Sequence, residues 1–123
     1  MIYLASPYSD PDRRVMKQRA RANVLAAAHL IHYKGLHLYA PIVHSPQIAA
    51  ELDKFGVSCY NFEYWRHYDI DILRRCDGLY VLKLDGWDTS IGVAAEIAVA
   101  LAINLPVTYV DAMSYELTHE PKR

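Results

Sequence analysis

At 123 residues the chain is long enough for one domain with a real core and too short for two, so residues 1–123 are read as a single domain. Its composition, 53% hydrophobic and 22% charged, is that of an ordinary globular protein, and a net charge of −1 gives no support for binding a nucleic acid polymer. Cys59 and Cys76 are too far apart for a CxxC motif and too few for a disulfide framework, and the most apolar stretch, residues 91–105, falls short of the roughly 20 residues that span a membrane.

Ile2-Tyr3-Leu4-Ala5 opens as a short apolar strand, with no basic leader or cleavage site before it, which places the protein in the cytoplasm. Residues 6–11 are dense in turn formers. One long helix is expected over residues 13–33, charged at first and then apolar, ended by Gly35 as a C′ residue. Its basic residues, Arg13, Arg14, Lys17, Arg19 and Arg21, read as a solvated face. Residues 36–40 form a second strand closed by Pro41. Ser45-Pro46 then opens a short helix, serine as N-cap and proline at the first helical position. Gly56 ends it, and Ser58 starts another helix that runs to about Arg75. Residues 77–84 are the third strand, residues 91–105 a helix apolar on all sides and so expected in the core, and residues 106–110 the fourth strand. Strands alternating with helices give an α/β fold of flavodoxin-like or Rossmann-like type. Its doubly wound parallel sheet has four strands in order 2-1-3-4, and the tail is a candidate fifth. Ligands in such sheets bind at the carboxyl edge, near the switch point between strands one and three.

Glu96 is the anomaly in the last helix. A lone carboxylate among apolar residues costs several kcal/mol to desolvate unless it is paired, neutralised or facing a cleft. It lies about 9 Å into its helix at 1.5 Å per residue, within reach of a cleft at the carboxyl edge. Asp69 is a second acid on an apolar helix face, spaced with Trp65, Ile72, Leu73 and Cys76, whereas Asp71 points to solvent. Two carboxylates converging on one cleft are the usual equipment for cleaving a glycosidic bond. The alternative for Asp69 is capping or an ion pair with an arginine such as Arg13 or Arg66. Ser90 is a candidate N-cap and, equally, a hydroxyl at a helix N-terminus suited to phosphate. Gly92 weakens its helix, which suggests close packing against it. The six histidines bring no acidic or cysteine partners that would complete a metal set, and covalent catalysis by a carboxylate needs no cofactor, so none is expected. His44 falls on the presumed ligand edge, as does Ser6. Trp87 in the cleft loop either stacks on a base or pins the loop. Tyr60, Tyr64 and Tyr68 form a stripe beside Trp65 that suits core or a subunit contact rather than a base-stacking platform.

Three pieces in order resemble the nucleoside 2-deoxyribosyltransferase-like superfamily: Ile2 to Tyr8, then Asp69 to Leu73 ahead of the third strand, then Ser90 to Glu96 (SIGVAAE). The resemblance spans nearly the whole chain up to Val110. It implies that Glu96 is a nucleophile toward the sugar C1′, that Asp69 is an acid near base and sugar, and that Tyr3 orients the glutamate. Ser90 stands where nucleoside-type transferases commonly have Asp and monophosphate hydrolases commonly have Ser on the 5′-phosphate. His44 resembles a pocket histidine of the hydrolase branch. The first loop lacks the Ser-x-Arg phosphate grip of some hydrolases.

The resulting expectation is an N-glycosidase that acts on a (deoxy)nucleoside 5′-monophosphate and releases free base. Tyr3, Asp69 and Glu96 are its catalytic residues, and Ser6, His44, Trp87, Ser90 and Gly92 bind substrate. No membrane or nucleic acid polymer is involved, and a homodimer or larger homo-oligomer is expected. The alternatives are deoxyribosyl transfer between bases on free deoxynucleosides, and a nucleotide-binding module without turnover.

Overall fold

The computed structural model describes residues 1–56 and 62–119. A five-stranded sheet runs through its centre, built from β1 (Ile2–Ala5), β2 (Leu38–Tyr39), β3 (Gly78–Leu82), β4 (Val107–Val110) and β5 (Leu117–His119), in the order β2-β1-β3-β4-β5. The first four strands are mutually parallel, and β5 returns antiparallel to β4. The expected α/β architecture and strand order hold, and the tail supplies the fifth strand.

Among the described residues four helices cover the sheet: α1 (Arg13–Lys34), α2 (Pro41–Asp53), α3 (Phe62–Leu73) and α4 (Ile91–Ala102). Alternation along the strands explains why both faces must be covered. Tyr3, Ala5, Leu79 and Val81 point to one side, where they pack with Leu73 of α3 and with Val93 and Ala100 of α4. Leu4, Leu82 and Val110 point to the other side, onto Ala26 and Leu30 of α1. Strands buried on both faces read as unbroken apolar runs, which is why they stood out in the sequence.

The helix ends follow from local chemistry. Asp12 caps α1, its carboxylate accepting from the Arg14 N–H at 2.9 Å. Gly35 closes the same helix at φ +64°, a left-handed conformation in which a side chain is strained, and donates to the Ile31 carbonyl. Ser90 caps α4 by accepting from the Val93 N–H at 3.2 Å. No helix among the described residues is long and apolar enough to cross a membrane.

Three expectations need correction. The helix after β2 begins at Pro41, not at Ser45. Ala40 is extended, and the fixed φ of proline at the first helical position starts the turn there, leaving Pro46 inside the helix. Strand β2 is two residues long rather than five. The third correction concerns α4, which is not enclosed. Val93 and Ala100 are buried against the sheet, but Ile91 is 78% and Leu101 44% exposed, and Ala94, Ala98 and Ala102 lie on the surface. A helix that packs on one face of a sheet has an outer side, whatever its composition. The expected start of the third helix at Ser58, together with Cys59 and the Tyr60 member of the tyrosine stripe, lies outside the described residues.

Candidate active site

The parallel strands end at one edge, and the connection reverses direction between β1 and β3. A cavity of about 740 Å³ opens there, within the size range of small-molecule sites. Its walls come from the loop after β1, from α1, from α2, from α3 and from the start of α4 with the loop before it.

Asp69 and Glu96 both line this cavity. Asp69 is half-buried, makes no ion pair among the described residues, and has one carboxylate oxygen sealed from solvent without a hydrogen-bond partner. Neither the cap nor the arginine pair considered for it is present: Arg66 lies 3.9 Å from Glu63 instead. Asp71, on the other side of α3, is exposed and 3.5 Å from Arg75. Burial disfavours the charged form of both cavity acids and pushes each carboxyl up to about 7. For Glu96 the Tyr3 hydroxyl works against that shift, while the negative charge of Asp69 adds to it. Two acids near neutrality in one cleft can hold and exchange a proton at ordinary pH.

Tyr3 does not line the cavity. It stands behind the acids on β1, completely buried, on the face of the sheet that α3 and α4 cover. Its hydroxyl makes no hydrogen bond of regular geometry, yet it faces the Glu96 carboxylate closely enough to favour the ionised form as a donor. Burial, with the charges of Glu96 and Asp69, drives the phenol far above its ordinary range, so it remains a donor at any working pH.

Ser90, Gly92 and Ser6 are at the cavity wall. Ser6 is buried, and its Oγ accepts from Asn23 Nδ2 of α1 at 2.8 Å. Gly92 departs from expectation, because nothing packs closely on it. A Cβ there would meet only the Ser90 hydroxyl, at 3.9 Å. The space beside Gly92 belongs to the cavity. Gly92→Ala should therefore stabilise α4 by about 0.5–1 kcal/mol and weaken ligand binding. Thermal melts alongside ligand titrations check this, and tighter binding in the mutant would contradict it.

His44 and Trp87 are not at the cavity wall. The His44 ring stacks on Tyr68 with centroids 5.7 Å apart, and its Nδ1 lies 3.2 Å from the Tyr39 hydroxyl. The earlier start of α2 sets its phase, so Pro41, Ile42, Ser45 and Ala49 face the cleft and His44 turns toward Tyr39. Trp87 lies in a single 3-10 turn, Trp87–Thr89, and packs inward on Tyr109 with centroids 5.4 Å apart, so it pins the loop.

Sequence reasoning missed Ser45 and Arg19. Arg13, Arg14, Lys17 and Arg21 are exposed as expected, but Arg19 is half-buried and lines the cavity. The signal was present: Arg19 precedes the buried Asn23, Ala26 and Leu30 by four, seven and eleven residues, which is the inward face of α1. Its Nη1 donates to the carbonyls of Tyr8 (3.4 Å) and Ser9 (2.9 Å), and its Nη2 to that of Asp85 (3.2 Å). The guanidinium thus spans the loops that follow β1 and β3.

A family model described as Domain of unknown function (DUF1937) matches residues 1–112, which takes in every cavity residue named above. A search of curated proteins finds no match to the chain.

Proposed function

The chain belongs to the DUF1937 family, and from the chemistry of its cavity we propose that it is an N-glycosidase that cleaves a (deoxy)nucleoside 5′-monophosphate to free base and sugar phosphate. The observation that carries this reading is the pair of cavity acids, Asp69 and Glu96, both held near neutrality by burial.

In this reading ionised Glu96 attacks C1′ of the sugar, and the bond to the base nitrogen breaks. Asp69, protonated at that moment, gives its proton to the departing base. The glycosyl ester on Glu96 is then opened by water, whose proton passes to Asp69, and both acids return to their starting states. Tyr3 keeps the glutamate oriented and favours its charged form. The 5′-phosphate fits the Ser90 end, where a hydroxyl and the free N–H groups of the first turn of α4 meet an anion favourably.

Chromatography of a panel of nucleotides and nucleosides after incubation, with and without an added acceptor base, tests the reading. Free base from a monophosphate is the expected result. A new nucleoside formed only with acceptor would mean transfer, and no turnover of any substrate would overturn an enzymatic role.

The role given to Tyr3 has its own signature. Tyr3→Phe keeps the ring and removes the donor, so kcat should fall about tenfold or more, the scale of a lost hydrogen bond to a charged group. The acid limb of the pH–rate profile should move to higher pH, because Glu96 loses a contact that favours its ionised form. A lower rate with an unmoved limb would leave Tyr3 a packing role only.

We also propose that copies of the chain associate through the outer face of α4. Ile91, Ala94, Ala98 and Leu101 recur along that face without a charged residue among them. Sedimentation at micromolar concentration should find a dimer or larger species, and Ala98→Asp should shift it to monomer. A wild-type monomer would overturn this.

A further inference from the structure

Two arginines line the cavity, and they differ in how their charge is met. Arg66 lies 3.9 Å from the Glu63 carboxylate. Arg19 has no carboxylate within ion-pair distance among the described residues; its three partners are backbone carbonyls of Tyr8, Ser9 and Asp85. Carbonyls are dipoles, so they orient the guanidinium and leave its unit of positive charge uncompensated.

The bonding pattern also leaves a particular edge free. A guanidinium has five N–H donors. All three bonds leave from Nη1 and Nη2, and the Nε–H makes none among the described residues. On a guanidinium the Nε–H and the neighbouring Nη2–H lie side by side and form the fork that grips a phosphate through two parallel hydrogen bonds. The backbone makes room for this arrangement at Gly86. That residue has φ +90°, and a Cβ there would stand 2.7 Å from Nη2 of Arg19. Two hydroxyls of the cavity lining are poised in the same sense. Ser6 Oγ already accepts from Asn23, and Ser90 Oγ from the Val93 N–H, so each hydroxyl keeps its proton to donate. Asp10 also lines the cavity, and its Oδ1 accepts from the Asp12 N–H at 2.8 Å.

We propose that Arg19 binds the 5′-phosphate of the substrate through its Nε–Nη2 edge, delivered from α1 rather than from the first loop. This rests on the nucleotide reading above and adds the residue that discriminates nucleotide from nucleoside.

The test measures binding and needs no turnover. Calorimetry with 2-deoxyribose 5-phosphate, 2-deoxyribose and inorganic phosphate is run at two ionic strengths on wild type, Arg19→Gln, Arg19→Lys and Gly86→Ala. Wild type should bind the sugar phosphate well above the sugar, and more weakly at high salt. Arg19→Gln should lose about 10- to 100-fold in sugar-phosphate affinity, the scale of a charged hydrogen bond, together with most of the salt dependence. Arg19→Lys should fall between, because it keeps the charge without the fork. Gly86→Ala should resemble Arg19→Gln, and it carries the test with Arg19→Lys if the glutamine variant does not fold. Inorganic phosphate binding alone, unaffected by these substitutions, would overturn the proposal. So would a wild type that does not bind the sugar phosphate, even one that cleaves nucleosides; in that case the glycosidase reading stands without Arg19. Loss of sugar-phosphate affinity in the variants of a protein that cleaves nothing would uphold Arg19 and defeat the catalytic reading.

Discussion

Replacing Glu96 by alanine should leave a folded protein whose turnover is lower by at least ~10³-fold, the scale on which removal of a covalent catalyst is felt. The fold should survive because Glu96 lines the cavity and is not one of the buried residues of α4, Val93 and Ala100, that hold the helix to the sheet. Single-turnover measurement of base release checks the rate, and near-normal turnover in the folded mutant would remove Glu96 from the chemistry. A second readout comes from stability. The Glu96 carboxyl is raised from 4.5 to about 7 in the folded protein. Between those values the folded state holds a proton that the unfolded state has released. The stability that proton uptake contributes is present below about 4.5 and is lost as pH rises through about 7. Glu96→Gln removes this penalty, so the mutant should melt higher than wild type at pH 8, with the difference closing toward pH 4. An equal difference at both pH values would contradict burial as the cause of the shift.

The second large effect is expected at Ser90. Ser90→Asp places a carboxylate where the first turn of α4 and the cavity meet, so it removes the hydroxyl and repels an anion. The helix end contributes roughly 0.3–1 kcal/mol toward an anion, up to about 2 when partly buried. A hydrogen bond to a charged group contributes about 1.5–3 kcal/mol. The monophosphate should therefore lose about 10²-fold or more in kcat/KM relative to the matching nucleoside. Aspartate also caps helices well, so α4 itself should hold and the loss should appear in selectivity rather than in melting temperature. Ser90→Ala should show the same preference more weakly, with some loss of stability from the missing cap. The quantity to compare is the ratio of monophosphate to nucleoside efficiency. If that ratio does not move, Ser90 is only a cap.

Most of the framework could be read from the sequence because each part has a local cause. Strands covered on both faces are apolar but for Thr108 of β4, Gly35 ends α1 because only a left-handed residue fits there, and Ser90 caps α4 through a bond three residues away. Asp69 and Glu96 stood out for the same kind of reason, being acids on faces otherwise apolar. What could not be read depends on neighbours distant in sequence. Gly92 suggested a close contact, and only the fold shows that its missing side chain is cavity space. The composition of α4 says nothing of which side meets the sheet. His44 was misplaced through helix phase, because Pro41 starts α2 four residues before the expected cap. Arg19 was grouped by charge with its neighbours, although its spacing to Asn23, Ala26 and Leu30 set it apart.

The outer strands of the sheet bear on how the protein resists aggregation. An edge strand offers unpaired N–H and C=O groups on which another chain can add, and long flat edges template growth into fibres. Here β2 is two residues long and β5 three, and β5 runs against the direction of the rest. Among the described residues neither edge offers a ladder long enough to hold a foreign strand in register. An orderly assembly of this chain is therefore left to surfaces that join through side chains, and a destabilised variant should become prone to fibres only once one of these short borders frays and uncovers the longer strand beside it, β1 or β4.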